Sequence, residues 1–110
     1  MRRGDIVVVA DRSGGDYGGK PRPAVVVQSE LFEETGSVTV CLVTTQQTGA
    51  ALLRIPVAAG ERSGLHRPSR IAVEKLISVR LDRVGAHIGR ISEEETLALN
   101  RSLAVFLGFG

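Results

Sequence analysis

Val38-Thr39-Val40-Cys41-Leu42-Val43-Thr44-Thr45 is the stretch on which the fold turns. Its apolar and β-branched residues follow one another almost without the alternation of a half-exposed strand. That predicts an extended segment buried on both faces, an inner strand of a sheet. Upstream, Ala24-Val25-Val26-Val27-Gln28 and Ile6-Val7-Val8-Val9-Ala10 have the same character, the latter entered through Gly4-Asp5. Pro21 and Pro23 bracket Arg22 and hold the backbone extended there. Asp11 to Lys20 is a glycine-rich loop, and Ser29 to Thr35 has room for one helical turn before Gly36.

Downstream, Leu52-Leu53-Arg54-Ile55-Pro56-Val57 reads as a fourth strand, with Pro56 marking an edge or an end. A turn region spans Ala58 to Pro68. Ser69 to Arg80 is extended and long enough for two strands joined by a bend, and His87 to Ile91 adds a last short strand. The helix signal is confined to the end. Ser92 and Glu95 have the spacing of a capping box, and Glu93, Glu94 and Glu95 complement the dipole of the first turn. Leu99, Leu103, Phe106 and Leu107 share a helical face, expected to be core, and Gly108 stops the helix. Short strands followed by one packed helix predict a mainly β domain with a C-terminal α-helix, a small, partly open barrel covering residues 1–110 as one unit.

Composition narrows the class. The 110 residues are 43% hydrophobic and 24% charged, ordinary for a globular domain. The formal charge is only +2, so a polyanionic partner is tolerated rather than demanded. Lys20 and Lys75 are the only lysines; the arginine excess suits bidentate phosphate binding, as well as a GC-rich coding sequence. Cys41 has no second cysteine to pair with and lies in an apolar run where a buried thiol is expected. Neither a secretion signal nor a run long enough to cross a membrane is visible, so the default expectation is cytoplasmic.

The chemistry cannot rest on the common motifs. One cysteine and two separated histidines, His66 and His87, make no zinc cluster, so no metal is expected. The glycines of 14–19 lack the Lys-Ser/Thr helix start of a phosphate loop, and there is no nucleophile elbow. Polar residues gather instead at strand ends: Asp16, Tyr17, Lys20 and Arg22; Thr44, Thr45 and Gln46; Ser69, Arg70, Glu74 and Lys75. A cleft among them would present guanidinium, hydroxyl and carboxylate groups, which suits charge stabilisation at a phosphate. The adjacent Glu74 and Lys75 read equally well as a solvated pair. With 4% aromatics and no Trp, a stacking platform for single strands is not expected; Tyr17 is the one exposed stacking candidate.

Several of these segments resemble the MazF/PemK toxins. Arg3-Gly4-Asp5-Ile6-Val7 is similar to their opening. Gly15-Asp16-Tyr17-Gly18-Gly19-Lys20-Pro21-Arg22-Pro23 followed by the valine strand is similar to their most diagnostic segment. Val43-Thr44, Gly64-Leu65 and Pro68-Ser69-Arg70-Ile71-Ala72-Val73-Glu74-Lys75-Leu76 match later blocks in order. The resemblance implies an SH3-like barrel of the CcdB/PemK/MazF kind, a homodimer, a cognate antitoxin, and cleavage of single-stranded RNA with neither metal nor cofactor. It implies Arg22 and Thr44 as catalytic residues and Asp16 or Glu74 as the base. Tyr17, Lys20, Thr45, Gln46, Ser69 and Arg70 would be RNA contacts. The alternatives are a CcdB-like gyrase poison, whose tryptophan-bearing C-terminus is missing here, and a non-catalytic SH3-like interaction module.

Overall fold

The computed structural model describes residues 1–10 and 20–109. In chain order the elements are β1 (Asp5–Val9), β2 (Arg22–Val26), β3 (Ser37–Thr44), β4 (Arg54–Val57), β5 (Ser69–Arg80), β6 (Val84–Arg90) and α1 (Glu93–Leu107). Short 3-10 turns occupy Glu30–Thr35, Ala51–Leu53 and Leu81–Arg83. The strands form one six-stranded sheet in the order β4-β5-β3-β2-β1-β6, with antiparallel pairings. The mainly β reading with a closing helix therefore holds, and β3 is an inner strand as its composition requires.

Both faces of the sheet are apolar, because alternate residues of β2 and β3 point opposite ways. Val25, Cys41 and Val43 join Ile71, Val73, Leu99 and Leu103 on the face covered by α1. Ala24, Val26, Val40 and Leu42 join Val7, Val9 and Val79 in a second cluster on the other face. Burial pushes the Cys41 thiol up to about 12, so it packs as a small apolar group. Pro56 lies in β4, an edge strand. Pro23 is tolerated inside the sheet because it stands at the start of β2, before the ladder to β3 begins at Ala24.

Three expectations are revised. Ala51–Leu53 is a 3-10 turn, so β4 begins only at Arg54. Ser69 to Arg80 is one strand, not two. Its bend is a bulge: Ile71 pairs with Val43 and Leu76 with Cys41, so residues 72–75 all stand against Leu42. On α1 both bonds of the capping box form, between Ser92 and Glu95, and Gly108 adopts the left-handed cap. The predicted core stripe runs out, however. Leu99 and Leu103 are buried, whereas Phe106 and Leu107 are 41% and 47% exposed.

The N-terminus is tied to β6 through a buried carboxylate. Asp5 accepts from the Arg2 backbone N–H at 2.7 Å and from the Arg90 guanidinium, and the His87 Nε2 lies 3.5 Å away. Burial alone would raise its pKa, but these hydrogen bonds and charges outweigh it and hold the group below the ordinary aspartate range. A carboxyl depressed in the folded state stabilises above its unfolded pKa and loses that contribution as pH falls through the folded value. Asp5→Asn is therefore expected to cost roughly 1–3 kcal/mol in urea melts at neutral pH. The gap to the native protein should close as pH falls below about 4. A gap independent of pH would refute the assignment.

Candidate active site

Ala24 of β2 pairs with Leu42 of β3. Arg22 and Thr44 lie two residues beyond this pair, at the ends of their antiparallel strands, and so come to the same end of the sheet. Both line a cleft of about 270 Å³ together with Gln46, Arg54 and Lys75, over apolar Leu42, Val43 and Ala72. Arg22 is half-buried at the first position of β2, its backbone held by the flanking prolines. Thr44 closes β3, and its Oγ1 accepts the Gln46 backbone N–H at 3.1 Å. With one lone pair so occupied, the hydroxyl proton remains to be donated to a ligand.

The bulge in β5 decides what else reaches the cleft. Ala72 and Lys75 are three residues apart and would face opposite sides of a regular strand; the extra residues turn both toward the same cavity. Glu74 is bound to Arg54. The Arg54 Nε donates to Oε1 at 3.2 Å and Nη2 to Oε2 at 2.5 Å. The hydrogen bond from Arg54 holds the Glu74 carboxyl below the usual carboxylate range, against the smaller opposing effect of burial. The partner of Glu74 is thus a cross-strand arginine, where the sequence had suggested a solvated pair with Lys75. Arg54 is the residue that sequence reasoning missed. It is the one charge within the apolar run of β4, and that interruption was the available signal.

The other named residues scatter. Lys20 and Thr45 are exposed and are not among the residues lining the cleft, and the Thr45 carbonyl accepts from Gln47 Nε2 at 3.0 Å. Arg70 pairs with Thr44 across β3 and β5 but lines an adjacent groove between β4 and the start of α1. Ser69 is buried, and its hydroxyl donates to the Arg67 carbonyl at 2.9 Å. Asp16 and Tyr17 lie outside the described residues. Among the described residues no group of three His, Cys, Asp or Glu side chains could hold a metal ion. No helix there is long and apolar enough to cross a membrane.

The family model described as PemK-like, MazF-like toxin of type II toxin-antitoxin system matches residues 2–107. The chain is 41% identical over 108 residues to a probable endoribonuclease MazF of Mycolicibacterium smegmatis, covering 98% of this chain and 97% of that protein. Its fold is similar to that of an endoribonuclease solved in complex with its cognate antitoxin from a mycobacterial species, with TM-score 0.81 and 17% identity over 100% of this chain and 97% of the other. It is similar as well to the Mycobacterium tuberculosis toxin MazF-mt6, with TM-score 0.80 and 20% identity over 96% and 98% of the two chains. MazF of Deinococcus radiodurans also superposes, with TM-score 0.81 and 17% identity over 98% and 96%.

Proposed function

The chain belongs to the family of PemK-like, MazF-like toxins of type II toxin–antitoxin systems, and from that membership we propose that it is an endoribonuclease that cuts single-stranded RNA through the RNA's own 2′-hydroxyl. The observation that carries the reading is that Arg22 and Thr44 line one cleft together with Arg54 and Lys75. In such a cut the 2′-oxygen attacks the adjacent phosphorus as its proton leaves to a base. The bond to the 5′-oxygen breaks, and that oxygen takes up a proton. A 2′,3′-cyclic phosphate and a 5′-hydroxyl result. The phosphate carries extra negative charge at the transition state, and the Arg22 guanidinium and the Thr44 hydroxyl would stabilise it. DNA lacks the nucleophile.

The charge of the cleft supports a mechanism without a metal. A divalent cation at a phosphodiester is held by at least one free carboxylate, and the described lining offers cations instead, the nearby Glu74 being bound by Arg54. The base is then Asp16, on the strength of the sequence resemblance. A cognate antitoxin is the expected regulator, with an acidic segment lying across the cleft. A second copy of the chain is the expected partner, and the exposed Val105, Phe106, Leu107 and Phe109 at the end of the helix offer apolar surface for such pairing. The cytoplasm, where RNA is available, is the expected site of action.

The test is incubation of the protein with a long RNA in excess EDTA, followed by mapping of fragment ends. Cuts ending in 2′,3′-cyclic phosphate and 5′-hydroxyl are expected, and a single 2′-deoxynucleotide at the cut site should leave the RNA whole there. Intact RNA, or cutting at the deoxy position, would overturn the reading. Intact RNA with inhibited DNA supercoiling would favour a gyrase poison.

A further inference from the structure

Arg54 makes contacts in two directions. It stands opposite Ala72 in the β4–β5 ladder, and its side chain is 11% exposed. Nε and Nη2 donate to the two oxygens of Glu74 on β5, which fixes the plane of the guanidinium. Nη1 turns the other way and donates to the Thr48 carbonyl at 3.3 Å, in the segment 45–50 that leaves β3. Residues 45–50 are all exposed, so no buried side chain of their own holds this stretch in place. Gly49 packs against the same arginine: its φ is +114°, and a Cβ there would fall 3.0 Å from Cζ and 3.1 Å from Nε of Arg54. Beyond the segment, the Ser102 hydroxyl of α1 fastens the chain by donating to the Leu52 carbonyl at 2.7 Å. At its near end stands the candidate site. Thr44 Oγ1 accepts the Gln46 N–H, and both residues line the cleft. The orientation of the Thr44 hydroxyl therefore depends on where the segment holds the Gln46 backbone.

We propose that Arg54, oriented by Glu74, is a positioning residue that braces the segment 45–50, so that the Gln46 N–H aims the Thr44 hydroxyl at the phosphate to be cut. A planar guanidinium suits the task, because its rigid fork serves a carboxylate and a carbonyl at once. A hydrogen-bond donor stabilises a transition state only if it is held in place beforehand. A misplacement of about 1 Å that arises away from the chemistry can cost about a hundredfold in rate. Glu74 then acts through Arg54 and is not the general base. Both of its oxygens accept from Arg54, and a carboxylate held below its usual range is a weak base at neutral pH. This role rests on the RNA-cleaving function proposed above and adds what keeps the threonine in register.

The experiment is a double-mutant cycle on the full chain, read as the single-turnover rate at saturating RNA. Arg54→Ala is expected to lower that rate about ten- to hundredfold in the native background. In the Thr44→Ala background it should cost less than about threefold, because the hydroxyl it aims is already gone. Gly49→Ala keeps every charge but presses on the guanidinium, and should show the same coupling to Thr44. Glu74→Gln should lower the rate while leaving the acid limb of the pH–rate profile where it is. NMR order parameters read the brace without any substrate: the amides of 45–50 should lie near about 0.85 in the native protein and fall below about 0.6 in Arg54→Ala, with the strands unchanged. The proposal is overturned if the penalties of Arg54→Ala and Thr44→Ala multiply, as they would for a direct phosphate contact or a general loss of packing. It is overturned equally if saturating RNA restores the native rate, if Glu74→Gln removes the acid limb, or if the native segment is already as mobile as the variant's. Should Arg54→Ala fail to fold, Gly49→Ala and Glu74→Gln decide by the same readings. Native protein that cuts no RNA refutes the cleavage function and with it the aiming of Thr44, whereas normal cutting with multiplying penalties refutes only the brace.

Discussion

Arg22→Ala is expected to lower the single-turnover rate of RNA cleavage by about two to three orders of magnitude, the usual cost of removing one preorganised charge-stabilising donor. The position explains why nothing nearby substitutes. Arg22 begins β2 between two prolines, at the cleft it shares with Thr44, so its guanidinium approaches the cleft from a backbone with little freedom. Arg54 and Lys75 line the same cavity, but Arg54 is bound to Glu74 and both arise from the other side of Leu42. Arg22→Lys keeps the charge but loses the planar fork, and should remain well below the native rate. Stability should change little, because Arg22 lies at the end of a strand outside both apolar clusters. Equal folding with a rate within tenfold of native would remove Arg22 from the chemistry.

The second large effect is structural and lies away from the cleft. The segment 58–68 lies with its backbone directly against β6, and the Arg90 N–H donates to the Arg62 carbonyl at 2.8 Å. Two glycines make the approach possible. A Cβ at Gly64, whose φ is +72°, would fall 2.0 Å from the Ile88 carbonyl oxygen; one at Gly89 would fall 2.3 Å from that of Arg62. In both cases the obstruction is backbone, which cannot swing aside like a side-chain tip. Gly64→Ala combines a left-handed conformation costing about 1–2 kcal/mol with overpacking of about 1–3 kcal/mol. A domain of this size has a total stability of only about 5–15 kcal/mol. Thermal unfolding should fall by roughly 10 °C or more for either glycine. Gly36→Ala is the control. Its φ is +78° but nothing lies within 4 Å of the added Cβ, so it should lose only the conformational contribution. Equal losses at Gly64 and Gly36 would show that backbone conformation, and not the close contact, sets the requirement there.

Local sequence determined the elements themselves. The unbroken apolar run of β3 could be satisfied only inside a sheet, Pro56 confined β4 to an edge, and Ser92 with Glu95 defined the start of the helix, because each signal acts within a few residues of chain. The pattern Pro21-Arg22-Pro23 and the threonine ending β3 marked two residues of the candidate site for the same reason. Their meeting required the β2–β3 register, a long-range property that no local pattern states. Tertiary structure alone decided the β5 bulge, the capture of Glu74 by Arg54 from 20 residues away in the chain, and the close contact at Gly64 and Gly89. It also left Phe106 and Leu107 half-exposed, since helical periodicity says which side chains share a face but not which of them find a partner to pack against.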